Sequence, residues 1–198
     1  LRENYPPAAF SSLMNFLGTH DTPRILTVLG ADRIPESKEE RAIYRLSPAQ
    51  RQRGLELVRL AALVLFTFPG SPTVYYGDEI GLEGWEDPFN RGTYSWESGD
   101  RELLAYFQRL GALHRSCPPL REGSIQWLYT SGPLLIFARE LEKSRLITVL
   151  NASDQERELP LSEPKVRNLL TGAVLSPEDG RLRLPPRTGL LLTEDCPG

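Results

Sequence analysis

Two stretches of the chain place apolar residues three and four positions apart, the spacing that puts them on one face of an α-helix. The first helix is predicted to begin at Ser47-Pro48-Ala49-Gln50, a capping box in which Ser47 and Gln50 satisfy free backbone N–H groups. It should end before Pro69, because proline cannot continue a helix. The second helix is predicted to follow Asp100, a suitable N-cap, and to end before Pro118.

Two short apolar runs end abruptly in ionisable residues. The first run, residues 13–19, leads into His20-Asp21, and the second, residues 73–77, leads into Asp78-Glu79. Fully buried parallel strands have this pattern, with chemistry at their carboxyl ends. Both runs are therefore predicted to be strands. Because neighbouring strand residues point to opposite faces, Asp78 and Glu79 cannot both face one ligand, and turn-stabilising roles are favoured for them.

Two long loops are predicted between these elements, and the pattern of the chain changes after residue 120. Residues 30–46 are predicted to be mostly loop, and residues 81–99 form a loop longer than most compact connections, a length that favours function. After residue 120, short strands alternate with turn signals, which indicates an antiparallel sandwich. The predicted strands are 124–130, 134–140, 145–151, 166–170, 182–184 and 189–193. The chain is thus predicted to be α/β over 1–116 and all-β over 117–198.

Composition excludes several classes of protein. The 198 residues include 23 Lys+Arg and 26 Asp+Glu, and the formal net charge of −3 argues against nucleic-acid binding. The longest apolar run, residues 60–66, is far too short to span a membrane. Two cysteines, Cys117 and Cys196, lie far apart, and free thiols are favoured over a disulfide between them. No metal site and no cofactor motif is identified.

Three motifs carry a resemblance to a known family. They are Phe16-Leu17-Gly18-Thr19-His20-Asp21-Thr22-Pro23-Arg24, the run from Phe68 to Gly81, and the segment from Asp87 to Trp96. In this order and spacing they resemble the α-amylase superfamily of glycoside hydrolases, especially its neopullulanase, cyclomaltodextrinase and α-glucosidase branches. The resemblance covers essentially the whole chain. It implies the last two βα units of a (β/α)₈ TIM barrel, followed by a C-terminal antiparallel β-sandwich.

The resemblance also implies roles for the His-Asp pair at the end of the seventh barrel strand. Asp21 would be the carboxylate that stabilises the transition state, and His20 would donate a hydrogen bond in the same sugar subsite. The chemistry suits these residues, because an ionised carboxylate can offset the positive charge of an oxocarbenium-like transition state. The alternative is that the pair merely caps a strand end. Arg24 could orient Asp21 or form an ion pair elsewhere near the site.

Further substrate-binding candidates lie in the second and third motifs. Tyr76 could stack on a sugar ring, while Asn90 and Arg91 offer donors to outer sugar hydroxyls. The other aromatic residues of this region could stack on sugars or pack in the core; they are Trp85, Phe89 and Trp96. His114 is expected to interact with a helix C-terminus or with solvent.

Two groups that the superfamily needs are absent. Its nucleophilic Asp stands in a Gly-Phe-Arg-x-Asp-like context on the fourth strand and its acidic Glu on the fifth, and no residue here matches either. The predicted function is the C-terminal fragment of a retaining α-glucan hydrolase acting on α-1,4-glucosidic bonds, with the isolated chain inactive. A start at Leu1 rather than Met agrees with a fragment. The alternatives are a non-catalytic carbohydrate-binding or structural module, and an inactive family member.

The expected partners follow from the same resemblance. The substrate would be an α-glucan or maltooligosaccharide, and calcium occurs in complete enzymes of the superfamily, although no cluster of oxygen ligands identifies a site here. Two unpaired barrel strands and two apolar helix faces would be open in this chain. The fragment is therefore expected to self-associate, or to pair with the missing portion of the barrel.

Overall fold

A computed structural model describes residues 4–194. The helices are α1 (Pro7–Ser11), α2 (Ile25–Gly30), α3 (Lys38–Ile43), α4 (Pro48–Thr67), α5 (Arg101–Ser116) and α6 (Pro118–Glu122). The strands are β1 (Met14–Phe16), β2 (Ser71–Thr73), β3 (Ser124–Ser131), β4 (Leu134–Leu141), β5 (Ser144–Asn151), β6 (Arg157–Pro160), β7 (Val166–Asn168), β8 (Val174–Leu175), β9 (Arg181–Leu184) and β10 (Thr188–Thr193). Two 3₁₀ turns occupy Asp78–Ile80 and Phe89–Arg91.

The chain divides into two compact units. One contains Asn15–Leu65 and Pro72–Gln108. The other contains Phe66–Ser71 and the chain from Arg109 onward, together with the segment that ends at Met14. The predicted domain boundary after residue 116 stays a prediction.

Both long helices begin as the sequence predicts. At the start of α4, the Ser47 backbone N–H donates to Gln50 Oε1 at 2.9 Å, and the Gln50 N–H donates to Ser47 Oγ at 3.3 Å. At the start of α5, the Leu103 N–H donates to Asp100 Oδ1 at 2.8 Å. The capping box and the Asp100 cap are therefore confirmed.

Two strand predictions in the first half are wrong. Of the strand predicted over 73–77, only Thr73 lies in a strand, since β2 pairs with the three-residue β1 in a two-stranded sheet and ends there. The Tyr76 carbonyl instead accepts a hydrogen bond from the Arg24 guanidinium. Within residues 13–19, only β1 is a strand, and it is not fully buried, since Met14 and Phe16 are exposed. β1 and β2 form a two-stranded sheet.

The segment predicted as mostly loop contains helix α3. Ser37 caps this helix, because its Oγ accepts a hydrogen bond from the Glu40 N–H at 3.1 Å. Glu39 and Glu40 lie in the first turn, where the helix dipole favours negative charge. Helix α3 has no buried residue, and its charged side chains lie at the surface of the protein.

The antiparallel arrangement predicted after residue 120 is confirmed. Six strands form one sheet in the order β3-β4-β5-β10-β7-β8, and β6 pairs with β9 in a second sheet, with each of these pairings antiparallel. Apolar residues of both sheets share one buried cluster, which includes Ile136, Val149, Leu159 and Leu184. Two sheets over one core are consistent with a sandwich. The sequence did not predict β6, β8 or α6.

Residues 4–194 contain no helix that is both long and apolar enough to cross a membrane.

Candidate functional site

The His20-Asp21 pair lies in a tight turn that follows β1. His20 Nε2 and Asp21 Oδ1 are 3.2 Å apart, and the two side chains are 65% and 73% exposed. Thr19 Oγ1 accepts a hydrogen bond from the Asp21 N–H at 3.1 Å, and Thr22 Oγ1 accepts one from the Thr19 N–H at 3.0 Å. The turn therefore presents a carboxylate and an imidazole side by side, both accessible to a ligand.

Asn90 holds this turn from the inside. The side chain is 0% exposed, and its Nδ2 donates to the carbonyl oxygens of His20 and Thr22, each at 2.8 Å. These two carbonyls belong to the residues on either side of Asp21. Both amide hydrogens of Asn90 are engaged in this geometry, so the predicted contact with an outer sugar hydroxyl is not available to them. The amide fixes the backbone on both sides of the candidate catalytic carboxylate.

Arg24 is also buried, with 1% of its surface exposed. Its Nη1 donates to Asp78 Oδ1 at 3.1 Å and to the Tyr76 carbonyl oxygen, and its guanidinium lies 4.2 Å from the centre of the Tyr75 ring. Of the two roles that the sequence left open, the structure shows the ion pair rather than a contact with Asp21. The buried arginine joins the segment after the His-Asp turn to the residues after β2.

Asp78 belongs to the internal support of the site. Burial raises the pKa of its carboxyl from 3.8 to about 6, against the opposing effect of the Arg24 hydrogen bond. A Cβ on Gly18 would lie 2.6 Å from Asp78 Oδ2, so the backbone can pass this carboxylate only where the residue has no side chain. Asp78 therefore binds Arg24 and does not face a ligand, which agrees with the structural role favoured for it.

Tyr76 and Arg91 are the two further candidates that remain accessible. The Tyr76 ring is partly exposed, and its hydroxyl donates to the Gly92 carbonyl oxygen at 2.9 Å. Arg91 Nε forms an ion pair with Asp87 Oδ1 at 2.8 Å on the protein surface. Both side chains could contact a sugar, and their part in binding stays a prediction.

The other aromatic candidates have different environments. Trp85 is buried and packs edge-on against Tyr44, with the ring centroids 5.7 Å apart. Trp96 is 78% exposed and lies 4.6 Å from the Tyr94 ring. Core packing is therefore the role of Trp85, whereas Trp96 is free to contact a ligand.

His114 and Cys117 lie in the unit that contains the large sheet. His114 Nδ1 donates to the Phe66 carbonyl oxygen at 2.9 Å, so it interacts with the C-terminal turn of α4, not with that of its own helix. Cys117 is a free thiol. Cys196 lies outside the described residues. Between residues 4 and 194, no group of three or more His, Cys, Asp or Glu side chains could hold a metal ion.

Comparison with known proteins identifies the class to which the chain belongs. The alpha amylase catalytic domain matches residues 4–104, which is just over half of the chain. An amylopullulanase of Thermoanaerobacter thermohydrosulfuricus is 36% identical over 70% of this chain and 9% of its own length. A cyclomaltodextrinase of Geobacillus thermopakistaniensis (strain MAS1) is 32% identical over 92% of this chain and 29% of its own length.

A solved structure agrees with these sequence matches. The Anoxybacillus alpha-amylase superposes with a TM-score of 0.76 at 28% identity, over 95% of this chain and 39% of that chain. These proteins are glycoside hydrolases, and the chain belongs to the alpha-amylase family. It spans only 9% of the amylopullulanase and less than a third of the cyclomaltodextrinase.

Proposed function

We propose that this chain supplies part of the active site of a retaining α-glucan hydrolase. In this proposal Asp21 is the carboxylate that stabilises the transition state, and His20 donates a hydrogen bond to a sugar hydroxyl. The observation that carries the proposal is the exposed pair, 3.2 Å apart, in a turn that the buried Asn90 holds on both sides. A strand cap alone would not need two accessible polar side chains on a rigidly held backbone.

The mechanism of a retaining glycosidase indicates which catalytic role Asp21 would have and which roles belong to other residues. A retaining glycosidase needs a carboxylate that attacks the anomeric carbon and a carboxylic acid that protonates the leaving oxygen. Neither group is assigned to this chain, because none of its acidic residues stands in the matching sequence context. Asp21 would instead accept hydrogen bonds from the sugar and offset its developing positive charge. The other two carboxyl groups would come from polypeptide outside these 198 residues.

The same proposal specifies architecture and substrate. Residues 1–116 would be the last two βα units of a (β/α)₈ barrel, where active-site residues lie at the carboxyl ends of strands. Asp21 lies five positions after Phe16, the last residue of β1, which suits that position. The substrate would be an α-glucan or maltooligosaccharide, cleaved at α-1,4 bonds. The relatives named cyclomaltodextrinase and amylopullulanase support a glucan as the class of substrate.

Proton NMR of the histidine rings tests the site, because the chain has only two histidines. Maltoheptaose should shift the His20 resonances, which lie beside Asp21, and leave those of His114 unchanged, since His114 is bonded to Phe66. Asp21→Asn should weaken binding about tenfold, because it removes a charge-assisted hydrogen bond. Asp154→Asn, which changes an exposed carboxylate in the unit that contains the large sheet, is the matched control. Equal shifts of both histidines, or an unchanged affinity in Asp21→Asn, would contradict the proposal.

One observation favours a second role, carbohydrate binding by the sheet unit. Trp127 on β3 is half-exposed and lies beside two other aromatic rings, those of Phe68 and Phe137 at 6.2 and 5.6 Å. An exposed aromatic face suits the apolar face of a sugar ring. If this face binds glucan, Trp127→Ala in the full chain should abolish its retardation in a starch-containing gel, while Asp21→Asn should leave the retardation intact. Unchanged mobility in Trp127→Ala excludes this role.

A further inference from the structure

The unit that contains the six-stranded sheet has a cavity of about 490 Å³, a volume typical of small-molecule sites. Its walls come from the end of α5, the start of α6, the start of β5 and the chain around β7. Most of the lining is apolar and consists of Leu113, Pro118, Pro119, Leu146 and Leu169. The cavity lies in a different unit from His20-Asp21, so it is separate from the candidate active site.

Three arginines line the same cavity, and their charges are not equally balanced. Arg145 lies within ion-pair distance of three glutamates, the nearest being Glu163 at 2.5 Å and Glu140 at 2.9 Å. Arg109 donates one Nη2 hydrogen bond, at 2.8 Å, to the Leu169 carbonyl oxygen. Within residues 4–194, neither Arg109 nor Arg167 has a carboxylate at ion-pair distance. Two guanidinium groups with spare donors therefore adjoin an apolar cavity.

We propose that this cavity binds a small amphipathic anion, with an apolar chain or ring and one carboxylate. A guanidinium can hold a carboxylate through two parallel hydrogen bonds, and Arg109 and Arg167 line the cavity without a carboxylate partner of their own among the described residues. The apolar part would displace water from the leucine and proline walls, a favourable transfer of apolar surface. A neutral sugar would satisfy neither arginine charge, and this ligand class is therefore distinct from the glucan proposed for Asp21.

Cys117 provides a reporter inside the cavity, because its side chain contributes to the lining. In a Cys196→Ser background Cys117 is the sole thiol, and its alkylation by iodoacetamide can be followed by mass spectrometry. Octanoate is the probe, and 1-octanol at equal concentration has the same apolar chain without the charge. At about four times its Kd, octanoate should slow alkylation about fivefold, because the bound state excludes the reagent. 1-Octanol should have a much smaller effect.

Arginine variants distinguish anion recognition from simple filling of an apolar space. Arg109→Met combined with Arg167→Met should abolish protection by octanoate, whereas Arg157→Met, which changes an exposed arginine on β6, should retain it. Equal protection by octanoate and 1-octanol would overturn the proposal, as would no protection by either. A Cys117 that resists alkylation before octanoate is added would indicate that polypeptide already fills the cavity, and would also overturn it.

Discussion

The residues that hold the turn around Asp21 are buried polar side chains, and each forms bonds to backbone or to another buried group. Asn90 bonds two carbonyl oxygens beside Asp21, and Arg24 pairs with Asp78. Buried polar groups stabilise a structure only when they are bonded, so loss of one partner is costly. The exposed pair His20-Asp21 therefore depends on side chains that do not face a ligand.

Replacement of Asn90 by Ala should destabilise the chain by about 2 kcal/mol, because the carbonyl oxygens of His20 and Thr22 lose their buried donor. Urea unfolding followed by circular dichroism measures the change. The control is Arg91→Ala at the next position, which removes only a surface ion pair with Asp87 and should cost less than about 0.5 kcal/mol. Equal losses in the two variants would show that the Asn90 hydrogen bonds do not support the turn.

The raised pKa of Asp78 makes stability depend on pH. Since the pKa is about 6 in the folded chain and 3.8 ordinarily, the unfolded state loses its proton first as pH rises. The free energy of unfolding should therefore fall between pH 4 and pH 6, by at most about 3 kcal/mol, and level off above. Asp78→Asn cannot ionise and should lack this decrease. The measurement compares the free energy of unfolding of the two proteins as a function of pH. Curves that run parallel from pH 4 to pH 7 would contradict the prediction.

The exposed residues of the candidate site could be identified from the sequence, whereas the bonds of the buried residues that hold them could not. His20 and Asp21 were found through a contiguous motif, which is visible in one dimension. The two hydrogen bonds of Asn90 reach carbonyl oxygens of residues about 70 positions earlier in the chain. No local sequence pattern indicates which donor binds which carbonyl. Arg24 was found as a candidate, but its partner Asp78 could be established only from the fold.

At the scale of elements, α4 is stabilised at both ends by side chains. Ser47 and Gln50 form its N-terminal capping box, and two side chains, one of them a cationic arginine, reach its C-terminal carbonyls. His114 donates to Phe66, and Arg139 Nη1 donates to the Thr67 carbonyl oxygen at 2.8 Å. Positive charge at a helix C-terminus is favourable because the last carbonyls lack partners.

Arg139 on β4 should be one of the most sensitive positions of the sheet unit. It is almost fully buried, burial lowers its pKa to about 10, and it also donates to the Gly123 carbonyl oxygen at 2.8 Å. Arg139→Met should lower the free energy of unfolding by about 2–4 kcal/mol, because two buried carbonyls lose their donor. Arg157→Met is the matched control and should change it by less than about 0.5 kcal/mol. A small effect at Arg139 would show that water replaces these bonds.

The elements differ in how far the sequence determines them. The helix starts at Ser47 and Asp100 were predicted because capping is local, a matter of residues three positions apart. The strand expected over 73–77 was wrong because, among the described residues, the backbone that pairs with this segment is the three-residue β1. β-branched and aromatic residues favour strands only where neighbouring backbone completes the ladder.

At the scale of the whole molecule, several large apolar side chains in the first unit lack cover among the described residues. They are Phe16, Val28, Ile34 and Ile43, all exposed. Exposed apolar side chains of this size favour association.

We therefore expect the chain to self-associate in solution. Light scattering coupled to gel filtration should give a mass above the 22.3 kDa of one chain. Ile34→Ser combined with Ile43→Ser should lower that mass, whereas Trp127→Ser in the sheet unit should leave it unchanged. A monomer at every concentration would contradict this prediction.

The most direct measurement of the central claim is hydrolysis of maltoheptaose by the 198-residue chain, followed as release of reducing ends. In the proposed function, Asp21 is one of three carboxyl groups that the reaction needs, and the nucleophile and the acid lie elsewhere. We expect no release above that of the Asp21→Asn variant, even at high protein concentration. Hydrolysis by the chain that Asp21→Asn abolishes would show that these residues contain a complete active site, and would contradict the proposed function.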